Sequence, residues 1–504
     1  MNLYKQYVII FFSLILIWQC NRQPEHVSET ILAKIGYKTI SVNEFIRRSE
    51  YTIRPKYCRG DNYIHRKIVL NSLIAEKLLA IDAGEQNALT QNEEFNLYIK
   101  GRKEQAMRQW LYEKVAEEKV HLSRDEINET YKNAGRVYDV SYLTIPNKTI
   151  AIELKDQLHS REITFDELYR TVSGKDTIPR RIINFTTKDI DEVNEALYSK
   201  PVSKETILGP LEISKHSYLL LKVNGWTDHP AMSASQQEDR LKQVEDKLKE
   251  RQALTLYRRY VHRIMKNKTL KFNEPIFREM VQILGSEYYK TKQEKKKVFN
   301  QKFWNKDRSD MVLDDAESKL NHLESEIFFT VNRTQWTVKN FLEAIKVHPL
   351  IFRRKKMPKK QFAREFKYAV VDLVRDHYIT KDAYDRGYDR VNLVQRNMNM
   401  WRDNLLALYR KRYLLGQWGV KGKSNEEMIR LYLDPYLKKL REKYSAEIYI
   451  NTDAFEKIKL TGIDLFVIQP NRAFPVIVPS FPQVTLHDKL DYGQKLDVSK
   501  TKDD

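Results

Sequence analysis

The chain has little cysteine, glycine or proline. Among its 504 residues there are 2 cysteines, 15 glycines and 15 prolines. Two cysteines cannot build a disulfide framework, and so little glycine and proline excludes collagen-like and loop-dominated chains. Aromatic residues make up 11% and hydrophobic residues 41% of the chain, which argues against disorder. The length exceeds that of a usual single domain, so we expect several helix-rich domains.

Long hydrophobic runs are missing after the first twenty residues. Residues 7–18 (YVIIFFSLILIW) are apolar, too short for the roughly 20 residues of a membrane span but the size of a signal-peptide core. The run ends at Cys20, a pattern that resembles a bacterial lipoprotein signal, although Ile17-Trp18-Gln19 replaces the usual Leu and small residues. The resemblance implies a signal peptide at 1–20, a lipidated Cys20 and a membrane-anchored protein of the periplasm or cell envelope. Ordinary secretion and an uncleaved anchor stay open.

Charge of one sign dominates. Lysine and arginine exceed aspartate and glutamate by 20. In a cytosolic protein this excess would suggest nucleic-acid binding, whereas in an exported protein it suits anionic lipid head groups or acidic unfolded clients. The densest basic run, Lys290–Lys297, is interpreted as a solvated helix face or a linker.

Three motifs occur twice in the same order, at offsets of 296, 300 and 301 residues. The paired segments are Ser41–Phe45 with Thr337–Phe341, Leu73–Ala83 with Leu373–Ala383, and Ser123–Ile127 with Ser424–Met428. Each copy ends in a short strand followed by an asparagine, Asn273 or Asn451. Near-constant offsets indicate a duplicated module, and an extra block between Tyr131 and Asn273 indicates an inserted domain.

Periodicity predicts the local structure. Apolar residues at helical spacing predict long helices at 64–83, 93–120 and 233–265. In the extra block, residues 137–146 and 218–223 read as strands and residues 165–173 as the start of a helix. The Pro-punctuated stretch 474–482 (FPVIVPSFP) predicts an extended segment on a neighbouring surface, and 491–504 a frayed polar tail.

The extra block resembles a parvulin (PpiC-type) peptidyl-prolyl isomerase domain. The resemblance rests on the opening strand, the helix FDELYRTVS (165–173) and the closing segment LGPLEISKHSYLLLKV (208–223). The flanking helices, with Ile35-Gly36 before Ser41–Phe45, resemble SurA-type periplasmic chaperones, in which a parvulin domain interrupts a helical chaperone module. The resemblance covers about residues 31–274. A second copy of the helical module, which lacks the parvulin domain, covers about residues 327–460.

The resemblance implies catalytic positions that this chain does not fill. Active parvulins place one histidine on the first strand and another on the last, flanking an aspartate or cysteine. Here the first position falls at Ser141 or Tyr142 and the last at Leu219. Twisting the X-Pro amide must overcome a barrier of about 18–20 kcal/mol, and leucine can neither donate nor accept a hydrogen bond. With His159 and His216 off these positions, we predict a degenerate domain without catalytic residues.

Other catalytic motifs are missing. The sequence has no P-loop, GxGxxG, HExxH, CxxC or GxSxG, so we predict no metal and no cofactor. A chaperone instead needs apolar side chains rimmed by charge. The candidates for client binding lie on the long helices of the two copies, where a place in the helix–helix core is the alternative: Met107, Trp110, Tyr112, Met398, Met400, Trp401 and Tyr409.

These observations predict a mainly α protein with a small α+β insert. The expected division is a signal peptide (1–20), a first helical chaperone module (31–135, completed by a return helix and strand at 228–285), a degenerate parvulin-like insert (136–227), a basic linker (286–325), a second helical module (326–460) and an extended tail (461–504). The leading hypothesis is an envelope chaperone or foldase for unfolded or nascent envelope proteins, membrane-anchored and without nucleic acid. An active isomerase and a structural lipoprotein with one defined partner stay open, and a nucleic-acid binder would require a cytosolic or nuclear location.

Overall fold

The computed structural model describes residues 27–187, 190–214, 216–290, 318–354, 357–461, 465 and 473–496. The protein is mainly helical with small sheets. It divides into two compact units, one formed by Met1–Glu113 with Tyr260–Asp504 (the split unit) and one by Lys114–Arg259 (the central unit). The finer division expected from the sequence stays a prediction.

The regular elements follow in chain order. The helices are α1 Val42–Glu50, α2 Tyr63–Ala83, α3 Glu93–Val115, α4 Arg124–Ala134, α5 Lys148–His159, α6 Phe165–Ser173, α7 Asp191–Tyr198, α8 Ala234–Met265, α9 Glu274–Tyr288, α10 Val338–Val347, α11 Phe362–Asp385, α12 Asn392–Gln417, α13 Asn425–Met428, α14 Asp434–Lys443 and α15 Thr452–Lys457. The strands are β1 Ile31–Ile35, β2 Lys38–Ser41, β3 Arg136–Ile145, β4 Arg180–Ile183, β5 Ile207–Ser214, β6 Ser217–Asp228, β7 Leu270–Phe272, β8 Ile327–Val331, β9 Thr334–Thr337, β10 Ile448–Ile450 and β11 Gln494–Lys495.

Hydroxyl side chains cap the first helix of each predicted copy. The side chain of Ser41 caps α1 by accepting a hydrogen bond from the Glu44 N–H at 3.0 Å, and Thr337 caps α10 in the same way. The helix predicted at 64–83 is confirmed as α2, which ends at Ala83 with Gly84 as its C-cap. Helix α3 is shorter than predicted, because a 3-10 turn at Glu117–Lys119 replaces its last residues.

The split unit contains two small sheets, and each combines strands from the two copies that the sequence predicts, here called the repeats. Each repeat begins with a hairpin and a helix: β1, β2 and α1, or β8, β9 and α10. Strand β7 is the short strand at the end of the first repeat, and β10 is the one at the end of the second. Strand β7 pairs antiparallel with β8, and β10 pairs antiparallel with β1. Each of these three-residue strands therefore pairs with the hairpin of the other repeat.

The exchanged contacts occupy equivalent positions. The Gly36 N–H donates to the Glu447 carbonyl at 3.0 Å, and the Asn332 N–H donates to the Thr269 carbonyl at 2.9 Å. The side chains repeat this relation. Tyr436 of the second repeat donates to Asp82 of the first at 2.6 Å, and Tyr260 of the first repeat donates to Asp382 of the second at 2.7 Å. Sheet and side-chain contacts thus tie each repeat to the other.

An irregular C-terminal segment, residues 473–496, is packed into the split unit. Its Val478, Phe481 and Val484 are buried. The Ser480 carbonyl accepts hydrogen bonds from Arg48 and Asn404, each at 3.1 Å. The segment ends in β11, which pairs parallel with β10. The expected frayed tail is therefore wrong for residues 491–496, while 497–504 lie outside the described residues.

The central unit is built on an antiparallel sheet of strand order β4-β3-β6-β5. One face packs on α5 and α6, where Leu143 and Leu220 meet Leu168. The other face packs on α7 and α8, where Val223 meets Leu197 and Val244. Both faces of the sheet are thus covered by helices of the same unit.

Candidate functional site

A cleft of about 680 Å³ opens within the split unit. Its walls come from α3, β9, α10 and α11. Strand β9 is an edge of its sheet, and its exposed Thr334 and Gln335 form one rim. The cleft therefore lies where a sheet edge meets three helices of both repeats.

A glycine sets the approach of α3 to α10. A β-carbon at Gly101 would lie 2.1 Å from the carbonyl oxygen of Val347, the last residue of α10. Side chains do not approach backbone so closely, so the residue at position 101 must be glycine for these helices to meet. This close approach holds α3 against α10 at Val347, which lines the cleft.

The cleft has an aromatic floor. The Trp336 ring stacks on Phe329 at 5.2 Å, and the His377 ring meets it edge-on at 5.1 Å. Phe329 is fully buried, so the indole is fixed to the core on one side and lines the cleft on the other. Tyr378, Leu373 and Ala344 extend the apolar lining.

Charged groups surround the apolar floor. Arg108 donates to the Thr380 hydroxyl at 2.7 Å, and Tyr384 donates to Glu104 at 3.2 Å. Burial, together with the Glu104 carboxylate, raises the pKa of Tyr384 well above its ordinary value, so this hydroxyl keeps its proton. Lys100 also lines the cleft, so both signs of charge are present.

A buried ion pair supports the wall formed by α10 and α11. His348 Nε2 lies 3.1 Å from Asp376 Oδ2, and Arg375 lies 2.7 Å from the same carboxylate. Burial alone would raise the pKa of Asp376, but the hydrogen bond to His348 and the charges of Arg375 and Arg108 lower it to about 2. The carboxylate is therefore ionised throughout the physiological range.

We predict an acid-dependent contribution from this carboxylate. A pKa lowered by folding stabilises the protein above the ordinary value of 3.8, and that stability is lost as the pH falls toward 2. Asp376→Asn is expected to cost about 2 kcal/mol at pH 7 and to flatten the pH dependence of unfolding between about 4 and 2. Asp385→Asn, an exposed position on the same helix, is the control. If denaturant unfolding shows that Asp376→Asn loses stability toward low pH just as the wild type does, the lowered pKa of Asp376 is contradicted.

The client-binding residues expected from the sequence lie in or near the core. Four of them are buried, namely Met107, Tyr112, Met400 and Trp401. The other three are half-buried, namely Trp110, Met398 and Tyr409. The Trp401 ring packs against Tyr98 at 6.1 Å, under the Arg102 guanidinium at 4.0 Å. Their role in client binding stays a prediction. Sequence reasoning missed the cleft residues, although a glycine inside the long helix α3 was a signal of close packing.

The degenerate catalytic positions lie in the central unit. Leu219 is buried and Tyr142 half-buried in one apolar cluster, on the face covered by α7 and α8. Ser141 is bonded instead to Asn224, which donates to its hydroxyl at 3.0 Å. His159 and His216 are exposed.

Cys20 lies outside the described residues. Within the part of the chain that is described, no helix combines the length and hydrophobicity of a membrane span. The same residues include no cluster of three or more His, Cys, Asp or Glu side chains that could hold a metal ion.

Comparison with known proteins adds no identification. The chain matches no protein-family model, and it has no significant match among curated proteins.

Proposed function

We propose that this protein is a cell-envelope chaperone or foldase that binds unfolded exported polypeptides in the cleft of the split unit. It is SurA-like, with two helical modules and a parvulin-like domain that lacks catalysis, and a lipid on Cys20 holds it at the membrane. The observation that carries the proposal is the cleft of about 680 Å³, with an aromatic floor and charged walls.

The cleft suits a segment of unfolded chain. Its volume falls within the range of about 300–1,000 Å³ typical of ligand sites, enough for a few side chains but not for a folded domain. Trp336 and Tyr378 offer apolar contact, while Lys100 and Glu104 can meet either charge on a client. Such mixed surfaces bind varied sequences weakly and release them.

The central unit supports the non-catalytic part of the proposal. The segments that carry the parvulin resemblance are β3, α6 and β5–β6, which belong to one sheet and its helix layer. At the last-strand position where parvulins hold a histidine, this chain has Leu219 in an apolar cluster. At the first-strand position it has Tyr142 in the same cluster, or Ser141, whose hydroxyl accepts a hydrogen bond from Asn224. We therefore expect no acceleration of X-Pro isomerisation in a proline-peptide assay. Acceleration that is lost in Tyr142→Phe would favour the alternative, an active isomerase.

An aggregation assay tests the cleft directly. The protein is expected to suppress aggregation of several unrelated unfolded proteins. Ala344→Trp, which fills the cleft from α10, and Gln335→Trp on its exposed rim are expected to weaken suppression about tenfold, the effect of losing about 1.4 kcal/mol of contact. Lys339→Trp, exposed on the same helix outside the cleft, should act as the wild type.

Two outcomes contradict the proposal. One is equal suppression by all three tryptophan variants, which would place client binding elsewhere. The other is no suppression with any client combined with one stoichiometric partner in a pull-down, which would favour a structural lipoprotein.

A further inference from the structure

A second surface of the split unit, away from the cleft lining, is strongly basic. It comprises the loop before α11 and the first turns of α11, and we call it the basic face. Its cations are all exposed and are Arg353, Arg354, Lys359, Lys360, Arg364 and Lys367. Residues 355 and 356 lie outside the described part of the chain and are not included.

The basic face is continuous from loop to helix. On α11, Arg364, Lys367, Tyr368 and Val371 follow the spacing i, i+3, i+4, i+7, so they share one side of the helix. The loop reaches this side through Arg353, whose guanidinium lies 4.9 Å from the Tyr368 ring. The two segments therefore present one surface.

Two contacts anchor the loop before α11 to the protein core. Phe352 is buried, and its ring lies 5.7 Å from that of Phe362. The Met357 carbonyl accepts a hydrogen bond from the Tyr289 hydroxyl at 3.1 Å. Because Leu350 and Phe352 on either side of it are buried, the exposure of Ile351 is a property of the folded loop.

Positive charge is in excess on this face. Asp372 binds both Arg353 and Arg375, and the buried Glu365 lies 3.4 Å from Arg364. These two carboxylates cannot balance six cations. The face will therefore attract a polyanion, and the attraction will weaken with salt.

Apolar side chains project among these cations. Ile351 is 66% exposed, Tyr368 40% and Val371 38%. Cations surrounding exposed apolar and aromatic side chains match the boundary of an anionic bilayer, where the charges meet head groups and the apolar groups enter the acyl region. A nucleic acid would meet the same cations but gain little from Ile351 and Val371. We propose that the basic face binds membranes that contain anionic phospholipids, independently of the client cleft and of any N-terminal lipid.

Vesicle binding by the full chain tests this proposal. Deuterium uptake by residues 350–371 is expected to fall on phosphatidylcholine vesicles that contain phosphatidylglycerol, and not on phosphatidylcholine alone. An N-terminal anchor would contribute to both vesicle types, so their difference isolates the face. The charge reversal Arg354→Glu/Lys360→Glu/Lys367→Glu is expected to weaken the preference for anionic vesicles by about tenfold or more, and Ile351→Ser to weaken it less.

The control makes the same change of net charge elsewhere. Lys242→Glu/Lys249→Glu/Arg258→Glu alters exposed positions on α8 and should keep the anionic preference. Equal loss in both triple variants, or protection at 350–371 on neutral vesicles, would overturn the proposal. Oligonucleotide binding that depends on the basic face, without any preference for phosphatidylglycerol, would assign the surface to nucleic acid instead. Aggregation suppression should be unchanged in the reversal variant, which separates this result from failure of the proposed function.

Discussion

Cleavage of the chain between residues 290 and 318 is expected to leave one folded complex of two fragments. In either fragment produced alone, the part that belongs to the split unit is expected not to fold. The N-terminal fragment carries β1, β2 and β7, and the C-terminal fragment carries β8, β9 and β10. Because β7 pairs with β8 and β10 pairs with β1, neither fragment can complete a sheet of the split unit by itself.

The expected size of this effect follows from what each fragment would expose. The cluster around α2 includes residues of both fragments, among them Ile35, Leu73 and Leu440. Two-stranded hairpins are marginal in water without further packing, and small domains have only about 5–15 kcal/mol of stability to lose. Size-exclusion chromatography and circular dichroism after cleavage and after separate production provide the measurement.

A cut elsewhere is the control. Cleavage inside β5 or β6 should disturb the central unit, because these strands pair with each other. Two separately produced fragments that are each soluble, compact and cooperative on unfolding would contradict the exchanged pairing.

Gly101→Ala is expected to destabilise the split unit by about 3 kcal/mol or more. Its β-carbon would lie 2.1 Å from the Val347 carbonyl oxygen, and a backbone atom cannot move aside as a flexible side chain can. Either α3 must separate from α10 or the helices must shift, and both changes would alter the cleft. The corresponding transition in calorimetry is expected about 5–10 °C lower.

Gly416→Ala is the matched control with the opposite sign. Gly416 lies in α12 with no atom within 4 Å of an added β-carbon, so alanine should stabilise the helix by about 0.5–1 kcal/mol. If the transition temperature changes equally in the two variants, helix propensity and not the close approach at Val347 determines the change in stability at Gly101.

Much of the local structure could be predicted from the sequence. The apolar spacing of residues 64–83 was enough to predict the helix that forms there as α2. The strands before Asn273 and Asn451 were also recognisable. These features depend on neighbours within a few residues, which the sequence shows directly.

The partners of these elements could not be predicted. The segments 270–272 and 448–450 are three residues long, and nothing in such short strands specifies which of two similar hairpins they join. The duplication itself stays a prediction, which the equivalent hydrogen bonds at Gly36 and Asn332 support.

The residues of the candidate site could not be predicted from the sequence either. Aromatic and methionine side chains on long helices predicted a client surface, but Met400 and Trp401 are buried, since periodicity does not distinguish a binding face from a helix–helix core. The cleft depends on a glycine contact and on an edge strand from the other repeat. Both are tertiary features.

Site-specific photo-crosslinking tests the central claim most directly. A benzoylphenylalanine at Gln335, on the rim of the cleft, is expected to crosslink unfolded client chains in proportion to the suppression of their aggregation. The same group at Lys339, exposed on α10 outside the cleft, is expected to crosslink little. Equal crosslinking at both positions, or crosslinking at Lys339 alone, would contradict polypeptide binding in the cleft.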